Sequence, residues 1–346
     1  MKEHQEGKAT FKANLSGKDK GPGKAKGVFY NPAMKMSRDL HVALAKKIEI
    51  KGTMLDGLAA SGIRGIRLAL EAGLNVEFCD TSILATETIN ENLKINGIEA
   101  SVYNKPVEEL LKEKKYDCID IDPFGTPAPF LEVALKGLKD NGILGVSATD
   151  TAVLCGAKPS ICVKRYGAMS MKWVAAKEIG IRILLGKIHS LATNIGKGIE
   201  PLLCYSEGHH LRAFVRLTKK NDTKLKWINL NMQIIENEEK NAGGPLWVDK
   251  IIQSNLVPLD CEGKLGKFFQ TLREESNGPP GLYDINDLAR GAEIGQTPQR
   301  NKIITSLEKL GYFASSSVFS PLGIKTNAPK SKRYEMLFDI FLFSSN

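Results

Sequence analysis

Two carboxylates and two prolines close an apolar run in Asp120-Ile121-Asp122-Pro123-Phe124-Gly125-Thr126-Pro127. Alternation along a strand sends Asp120 and Asp122 to the same face. Pro123 fixes its own φ and keeps Asp122 extended, so the carboxylate and the ring of Phe124 project from a stiff turn. That arrangement suits methylation of an exocyclic amine. The lone pair of such an amine on guanine or adenine is delocalised into the ring, which makes it a poor nucleophile. A carboxylate accepting its N–H bonds helps the nitrogen pyramidalise toward a methyl donor and offers a place for the departing proton. An adjacent aromatic can stack on a base drawn out of its helix. The plainer alternative is a proline-containing turn with a capping aspartate.

Asp122, Pro123 and Phe124 are therefore the candidate catalytic residues, and they need a scaffold. From about residue 50 to residue 150, strand-like runs alternate with helical stretches, which implies right-handed βαβ crossovers and a mostly parallel α/β sheet. Ligands bind such sheets beyond the carboxyl ends of the strands, near the switch point. Two more segments end there. Asp56-Gly57-Leu58-Ala59-Ala60-Ser61-Gly62 is a glycine-bearing turn that lets backbone approach a ligand beside a helix N-terminus, although it is not GxGxxG and also fits a plain tight turn. Asp80 either accepts hydrogen bonds from ribose hydroxyls or caps the helix that follows Asp80-Thr81-Ser82. Farther on, PLLCYSEGHHLRAFVRLTKK reads as an antiparallel pair closing the sheet edge.

The 346 residues are 42% apolar and 25% charged, an ordinary globular balance with material for about two domains. An excess of 48 Lys plus Arg over 39 Asp plus Glu gives +9 and favours a polyanionic partner such as nucleic acid. No apolar run approaches the roughly 18 residues of a membrane-spanning helix, and the N-terminus lacks a signal-peptide core, so the default compartment is the cytoplasm. The six cysteines include no CxxC pair, which speaks against zinc and a disulfide scaffold and for buried reduced thiols. Residues 1–27 are rich in Lys and Gly and poor in apolar residues, so they read as a solvated tail or as a basic arm ordering on phosphates. The polar stretch 219–245, with the Gly243-Gly244 pair near its end, marks a domain junction. Beyond it, two short helices around a turn, then SVFSPLGIKT as a β-wing, suggest a helix-turn-helix or winged-helix-like second domain.

The chain resembles the tRNA (guanine-26) N2-dimethyltransferase family in its archaeal form. The matching blocks are Phe29-Tyr30-Asn31-Pro32, Met36-Ser37-Arg38-Asp39, LDGLAASGIRGIRLALE, DIDPFGTPAPFLE, Arg165-Tyr166-Gly167-Ala168, His209-His210-Leu211-Arg212, Gly244-Pro245-Leu246-Trp247 and Gly323-Ile324-Lys325-Thr326-Asn327-Ala328-Pro329. They run in the family's order from about residue 29 to 330. The resemblance implies a Rossmann-like class I S-adenosyl-L-methionine-dependent methyltransferase domain (29–243) and a smaller α+β C-terminal domain (244–346) that helps hold tRNA, preceded by the basic arm (1–28) that composition marks. It further implies that Arg38 and Arg64 contact the methyl donor, Arg38 at its carboxylate, that Asp80 holds the ribose, and that Phe29 and Phe124 line the target-base pocket. Asp56 stands at the donor turn.

This chain departs from the family pattern at three places. Asn104-Lys105 stands where the family usually has an acidic residue and Ala contacting adenine; Asn can still accept from the adenine amine. The four-cysteine zinc site that many members carry before GPLW is replaced by INLNMQIIENEEKNAG, so no metal is expected. Ser315-Ser316-Ser317-Val318 replaces a Ser-Arg-Thr-His-type run. Phosphate contacts are expected from the Lys-rich arm, from Lys172, Lys177, Arg182 and Lys187, and from Lys325, Lys330, Lys332 and Arg333, though each run also reads as a solvated face. No obligate protein partner is evident. The rival readings are an amine methyltransferase acting on adenine in DNA or on another RNA, a non-catalytic RNA-binding module, and a nicotinamide-dependent dehydrogenase. The last lacks GxGxxG and leaves DPFG unexplained.

Overall fold

A computed structural model describes residues 2–15, 28–48 and 50–344. They form two compact units, Met1–Asp150 with Lys187–Thr223, and Thr151–Gly186 with Lys224–Asn346. A cut at 243/244 does not coincide with this partition, and strand pairing explains why. Residues 226–229 pair with 242–246 in one small sheet, and Met169 bridges to Gly244, so a boundary beside the glycine pair would split hydrogen-bonded neighbours.

In the first unit, β1 (Lys2–Glu6), β2 (Ala9–Leu15) and β3 (Phe29–Tyr30) precede α1 (Lys35–Ile48). The alternation then runs β4 (Thr53–Asp56), α2 (Ile63–Ala72), β5 (Asn75–Asp80), α3 (Ile83–Ile95), β6 (Val102–Asn104), α4 (Val107–Glu113), β7 (Tyr116–Ile121), α5 (Ala128–Gly137) and β8 (Leu138–Ala148). The chain then passes into the second unit for α6 (Thr151–Leu154), α7 (Pro159–Tyr166) and the first part of α8 (Ala176–Asn194), and returns to the first for β9 (Lys197–Glu207) and β10 (His210–Lys219). The seven-stranded sheet has the order β6-β5-β4-β7-β8-β10-β9. Strands β4 to β8 are parallel, and β10 is antiparallel to both β8 and β9. The expected parallel sheet closed by an antiparallel pair is what forms. The switch point falls between β4 and β7, where Asp56 lies opposite Asp120. Gly65 permits the helix-to-sheet approach there, because a Cβ on it would sit 2.4 Å from the Phe78 ring of β5.

The N-terminal segment departs from the sequence expectation. Residues 2–15 form a hairpin instead of a tail, and Ala9, Phe11 and Ala13 on alternate positions of β2 are wholly buried. The side chains of Asn92 on α3 and of Asn96, which caps its C-terminus, stand in for a partner strand. Asn92 exchanges bonds with the Lys12 backbone (2.7 and 3.1 Å), and Asn96 does the same with Thr10 (3.0 and 2.6 Å). At the end of β1, Glu6 is 2% exposed and gathers Arg38 (2.7 and 2.5 Å), Arg67 (2.8 Å) and the Tyr30 hydroxyl (2.8 Å). Lys18, Lys20, Lys24 and Lys26 of the expected basic arm lie outside the described residues.

The second unit holds a small sheet of β11 (Lys226–Asn229), β12 (Ile234–Ile235) and β13 (Ala242–Leu246), followed by α9 (Gly263–Glu275). Then come β14 (Tyr283–Asp284), α10 (Ile285–Gly291), α11 (Arg300–Lys309), the hairpin β15 (Ala314–Ser317) with β16 (Ser320–Thr326), and α12 (Lys330–Ser344). Two helices, a β-wing and the sheet order β14-β16-β15 around a core of Ile285, Leu288, Ile303, Leu307, Ile324 and Leu337 are the expected winged-helix arrangement. Three of the expected phosphate-contacting cations are interior instead. Arg182 and Lys325 both pair with buried Glu178 (2.9 and 2.7 Å), and Arg333 donates to the Ala328 carbonyl while stacking 3.9 Å from the Tyr283 ring centroid. Charge runs in sequence do not distinguish a cation that neutralises a core carboxylate from one that faces water. The Ser315-Ser316-Ser317 run is likewise interior, with Ser317 donating to Glu275 at 2.7 Å.

Burial alone would push the Glu6 carboxyl up, but bonds from Arg38, Tyr30 and Arg67 outweigh it and hold it at about 2, below the ordinary 4.5. Its contribution to stability is therefore complete above pH 4.5 and is lost as pH falls toward 2. Glu6→Gln, which strands the buried Arg38 guanidinium while Arg67 keeps Asp39 and Glu71, should cost about 3–5 kcal/mol at neutral pH. In equilibrium unfolding the gap between wild type and variant should shrink on acidification through that window; a gap independent of pH would refute the assignment.

Candidate active site

The carboxyl ends of β4, β5, β7 and β8 surround a cavity of about 470 Å³. Its walls include Phe29, Asn31, Met34 and Arg38 from the N-terminal side, Asp56 and Leu58 to Ser61 from the first turn, and Ile63 and Arg64 from α2. Asp80, Thr81, Asp122, Pro123, Phe124 and Thr149 complete the strand-end contribution. Every expected site residue except Asn104 and Lys105 reaches this cavity.

Asp122 is the best-determined of them. Its Oδ2 takes a short hydrogen bond from Arg64 Nη2, and Arg64 Nε lies 3.2 Å from Asp120 Oδ2, so one guanidinium serves both carboxylates. The shared partner shows the common face that strand alternation predicts. Burial pushes the Asp122 carboxyl up, but Arg64, Arg212, His210 and a hydrogen bond from Ser147 outweigh it and hold it at about 2. Asp56 behaves oppositely. Burial and the neighbouring Asp120 push it up to about 7 against Arg64 and the Gly65 N–H, which it accepts at 3.0 Å. Asp56 thus ties the turn to α2.

The loop after β7 is pinned to the end of β8. Gly125 N donates to Thr149 Oγ1 at 2.7 Å, and the Gly125 carbonyl accepts from Thr149 N and Asp150 N at 2.9 and 3.2 Å. Gly125 adopts φ +87°, a region where a side chain would be strained. This anchoring holds Phe124 outward, 73% exposed, with its ring edge-on to Phe29 at 4.9 Å between centroids. Both rings line the cavity.

On the β5 side, Asp80 Oδ2 accepts from Ala60 N and Oδ1 from Ser82 N, both at 2.9 Å. Ala60 is held at φ +49°, a strained value for a residue with a Cβ. Ser82, rather than Asp80, caps α3 through Ala85 N. Asp80 is therefore oriented by backbone and keeps lone pairs directed to the cavity. Asn104 donates to the Asp80 backbone carbonyl at 3.1 Å beside the cavity, and Lys105 pairs with Glu113 at 2.9 Å. Arg38, expected to face an anionic group, lines the cavity with its charge already met by Glu6. Arg64 Nη1 is buried without a hydrogen-bond partner among the described residues. Sequence reading missed Glu6, Ser147, Thr149 and Arg212. The SATD strand end and the HHLR run marked the last three only as strand residues, and nothing near Glu6 marked it at all.

The model of the family described as N2,N2-dimethylguanosine tRNA methyltransferase matches residues 7–237 and 219–338. The chain belongs to that family. Similar relatives are the tRNA (guanine(26)-N(2))-dimethyltransferases of Pyrobaculum arsenaticum, 36% identical over 86% of this chain and 88% of that one, and of Thermoplasma acidophilum, 35% identical over 89% and 90%. Trm1 from Pyrococcus horikoshii, solved with S-adenosyl-L-methionine, superposes with a TM-score of 0.88 at 31% identity, covering 97% of this chain and all of that one. The fold of this family member is a Rossmann-like methyltransferase unit with a C-terminal domain. Among the described residues no group of three or more His, Cys, Asp or Glu side chains is placed to hold a metal, and no helix is long and apolar enough to cross a membrane.

If Arg64 sets the charge state of Asp122, Arg64→Met should move that carboxyl upward past the ordinary aspartate value of about 3.9, because burial then acts unopposed by its nearest cation. Carboxyl carbon chemical shifts of Asp122 followed against pH check this. A midpoint still near 2 would show that Arg212 and His210 suffice.

Proposed function

We propose that this chain is an S-adenosyl-L-methionine-dependent tRNA methyltransferase that dimethylates the N2 amine of guanine 26. The observation that carries the reading is an ionised Asp122 on the wall of a 470 Å³ cavity, held by Arg64 and flanked at the mouth by the Phe29–Phe124 pair, in a member of this family.

The cavity fits the donor. Its volume lies in the range of drug-sized ligand sites. Asp80, fixed by two backbone N–H groups, suits a ribose diol, and the unpartnered Arg64 Nη1 and the edge of Arg38 suit a carboxylate. Asn104, beside Asp80, keeps its amide oxygen to accept from an adenine amine, with Lys105 next to it. When bound, the sulfonium supplies an electrophilic methyl group.

The remaining work belongs to the protein. Phe29 and Phe124 receive the guanine drawn out of its stack, at a cost of a few kcal/mol. The Asp122 carboxylate accepts N–H bonds from N2 and turns the lone pair toward the methyl group. A carboxylate held at about 2 is a weak base. It suffices, because an exocyclic guanine nitrogen that has just gained a methyl group and still carries both hydrogens is far more acidic than a carboxylic acid. The proton passes to a carboxylate oxygen of Asp122 and on to water at the mouth. Pro123 keeps the carboxylate from swinging. Open space beside Gly125 leaves room for the monomethylated amine to rotate for a second transfer. In-line placement supplies most of the acceleration, on the order of 7–11 kcal/mol for well-aligned reactants.

In this reading the first unit performs the transfer and the second helps hold tRNA, with exposed Lys172 and Lys330 among the phosphate contacts and the cytoplasm as the place of action. Incubation with labelled donor and a guanine-26 tRNA transcript should yield N2,N2-dimethylguanosine by mass analysis of nucleosides; no labelled guanosine would refute the function. Asp122→Ala should lower the single-turnover rate by about 10²- to 10⁴-fold while leaving donor affinity nearly intact. Affinity for tRNA should fall by about 10³-fold or more between 50 and 200 mM salt if six or more phosphates are met, a slope read by filter binding.

A further inference from the structure

The HHLR run ends in Arg212, a fully buried arginine with no part in the mechanism above. It sits on β10 directly opposite Ser147 on β8, and its Nη1 donates to Ser147 Oγ at 2.8 Å. Its Nη2 makes a short hydrogen bond to Asp120 Oδ1 and lies 3.4 Å from His41 Nδ1, while the guanidinium rests 4.5 Å over the Phe214 ring. Burial, followed by the charges of Arg212 and Arg64, keeps His41 well below its ordinary value, so it is neutral and accepts from the arginine. Strand β8 is shaped around this pair. A Cβ on Gly145 would lie 2.3 Å from Asp120 Oδ1 and 2.9 Å from Arg212 Nη2. Yet Arg212 Nε, buried, has no hydrogen-bond partner among the described residues. A core guanidinium left partly unsatisfied is a poor device for stability alone.

Its neighbours give it a second use. Ser147, which accepts from Arg212, also hydrogen-bonds Asp122, and Asp120, which Arg212 holds from behind, shares Arg64 with Asp122. Two routes therefore lead from one buried arginine to the carboxylate on the cavity wall. We propose that Arg212 and Ser147 are positioning residues for the methyl transfer: together they fix the direction of Asp122 without touching donor or base. This rests on the function proposed above. The charged and titratable groups facing Asp122 are Arg64 from α2, Asp56 from β4, Asp120 from β7, and Arg212 and His210 from β10, with neutral His41 of α1 and Tyr205 of β9 behind them.

The test uses the full chain with a guanine-26 tRNA transcript and S-adenosyl-L-methionine. Single-turnover rates are measured against pH, and donor and tRNA dissociation constants separately. Ser147→Ala should lower the saturated rate about tenfold, the worth of one hydrogen bond to a charged group. Both dissociation constants should stay within about twofold. Removing a group that lowers the Asp122 value should also move the acid limb of the pH–rate profile to higher pH. Arg212→Lys keeps the charge but loses the fork, so it should lower the rate with a smaller displacement of that limb. If circular dichroism shows that Arg212→Lys does not fold, Ser147→Ala decides alone. A folded Ser147→Ala enzyme with wild-type rate and profile overturns the proposal, as does a loss confined to donor affinity. Absence of guanine methylation by the wild type would instead overturn the function itself, so the two failures are told apart.

Discussion

The guanidinium of Arg64, gripped by Asp120 from within and by Asp122 at the cavity wall, is the constraint on which the site depends. Charges removed from water must compensate one another locally, or the fold bears their desolvation. Asp56 is pushed up to about 7, while Asp120 and Asp122 are met directly by guanidiniums, Asp120 by Arg64 and Arg212 and Asp122 by Arg64. The sheet order makes this possible. Asp56 and Asp120 are register partners on neighbouring strands at the switch point, Arg64 opens the helix that follows β4, and Arg212 enters from the antiparallel strand beyond β8. Gly145 clears the space in which Asp120 and Arg212 meet, and Gly65 lets α2 lie close against β5.

Glu6 repeats the logic one layer out. A carboxylate at the start of the chain neutralises Arg38 and Arg67 and orients Tyr30, so the strand carrying Phe29 and the residues Asn31 and Met34 is held against the cavity by a hairpin far away in sequence. Arg38 would otherwise be a bare cation at the cavity wall. In the function proposed above, its compensation shifts the burden of receiving an anionic group toward Arg64 Nη1.

The parallel sheet, its antiparallel closure, the winged-helix pattern and the strand-end acids were legible because each is a local periodicity or a residue type placed by one strand end. What was not legible is of a different kind. The seven residues of β2 alternate cleanly, but averaging over a Lys- and Gly-rich stretch hides them, and their partners are asparagine side chains some 80 positions away. Arg182, Lys325 and Arg333 look like any other basic residues until Glu178 and the Ala328 carbonyl are seen beside them. Ion pairing across long separations leaves no periodic trace, so a count of cations overstates the surface charge available to RNA.

The function proposed above puts an ion-paired acid at the centre of a methyl transfer, at first sight a poor choice, since pairing weakens it as a base. Guanine N2 needs no base before attack. Its N–H is too weakly acidic for any carboxylate to remove, and it sheds its proton readily only once the new bond forms. What helps beforehand is an acceptor that stays ionised and fixed in direction, which Arg64 and the anchored Pro123 turn provide. Pairing has a second consequence. A lone buried carboxylate beside a sulfonium would favour the fully charged ground state over a transition state in which that charge is dispersing, and binding spent on the ground state does not accelerate the chemical step. A carboxylate already partly compensated by Arg64 reduces that bias while keeping its lone pairs for the amine.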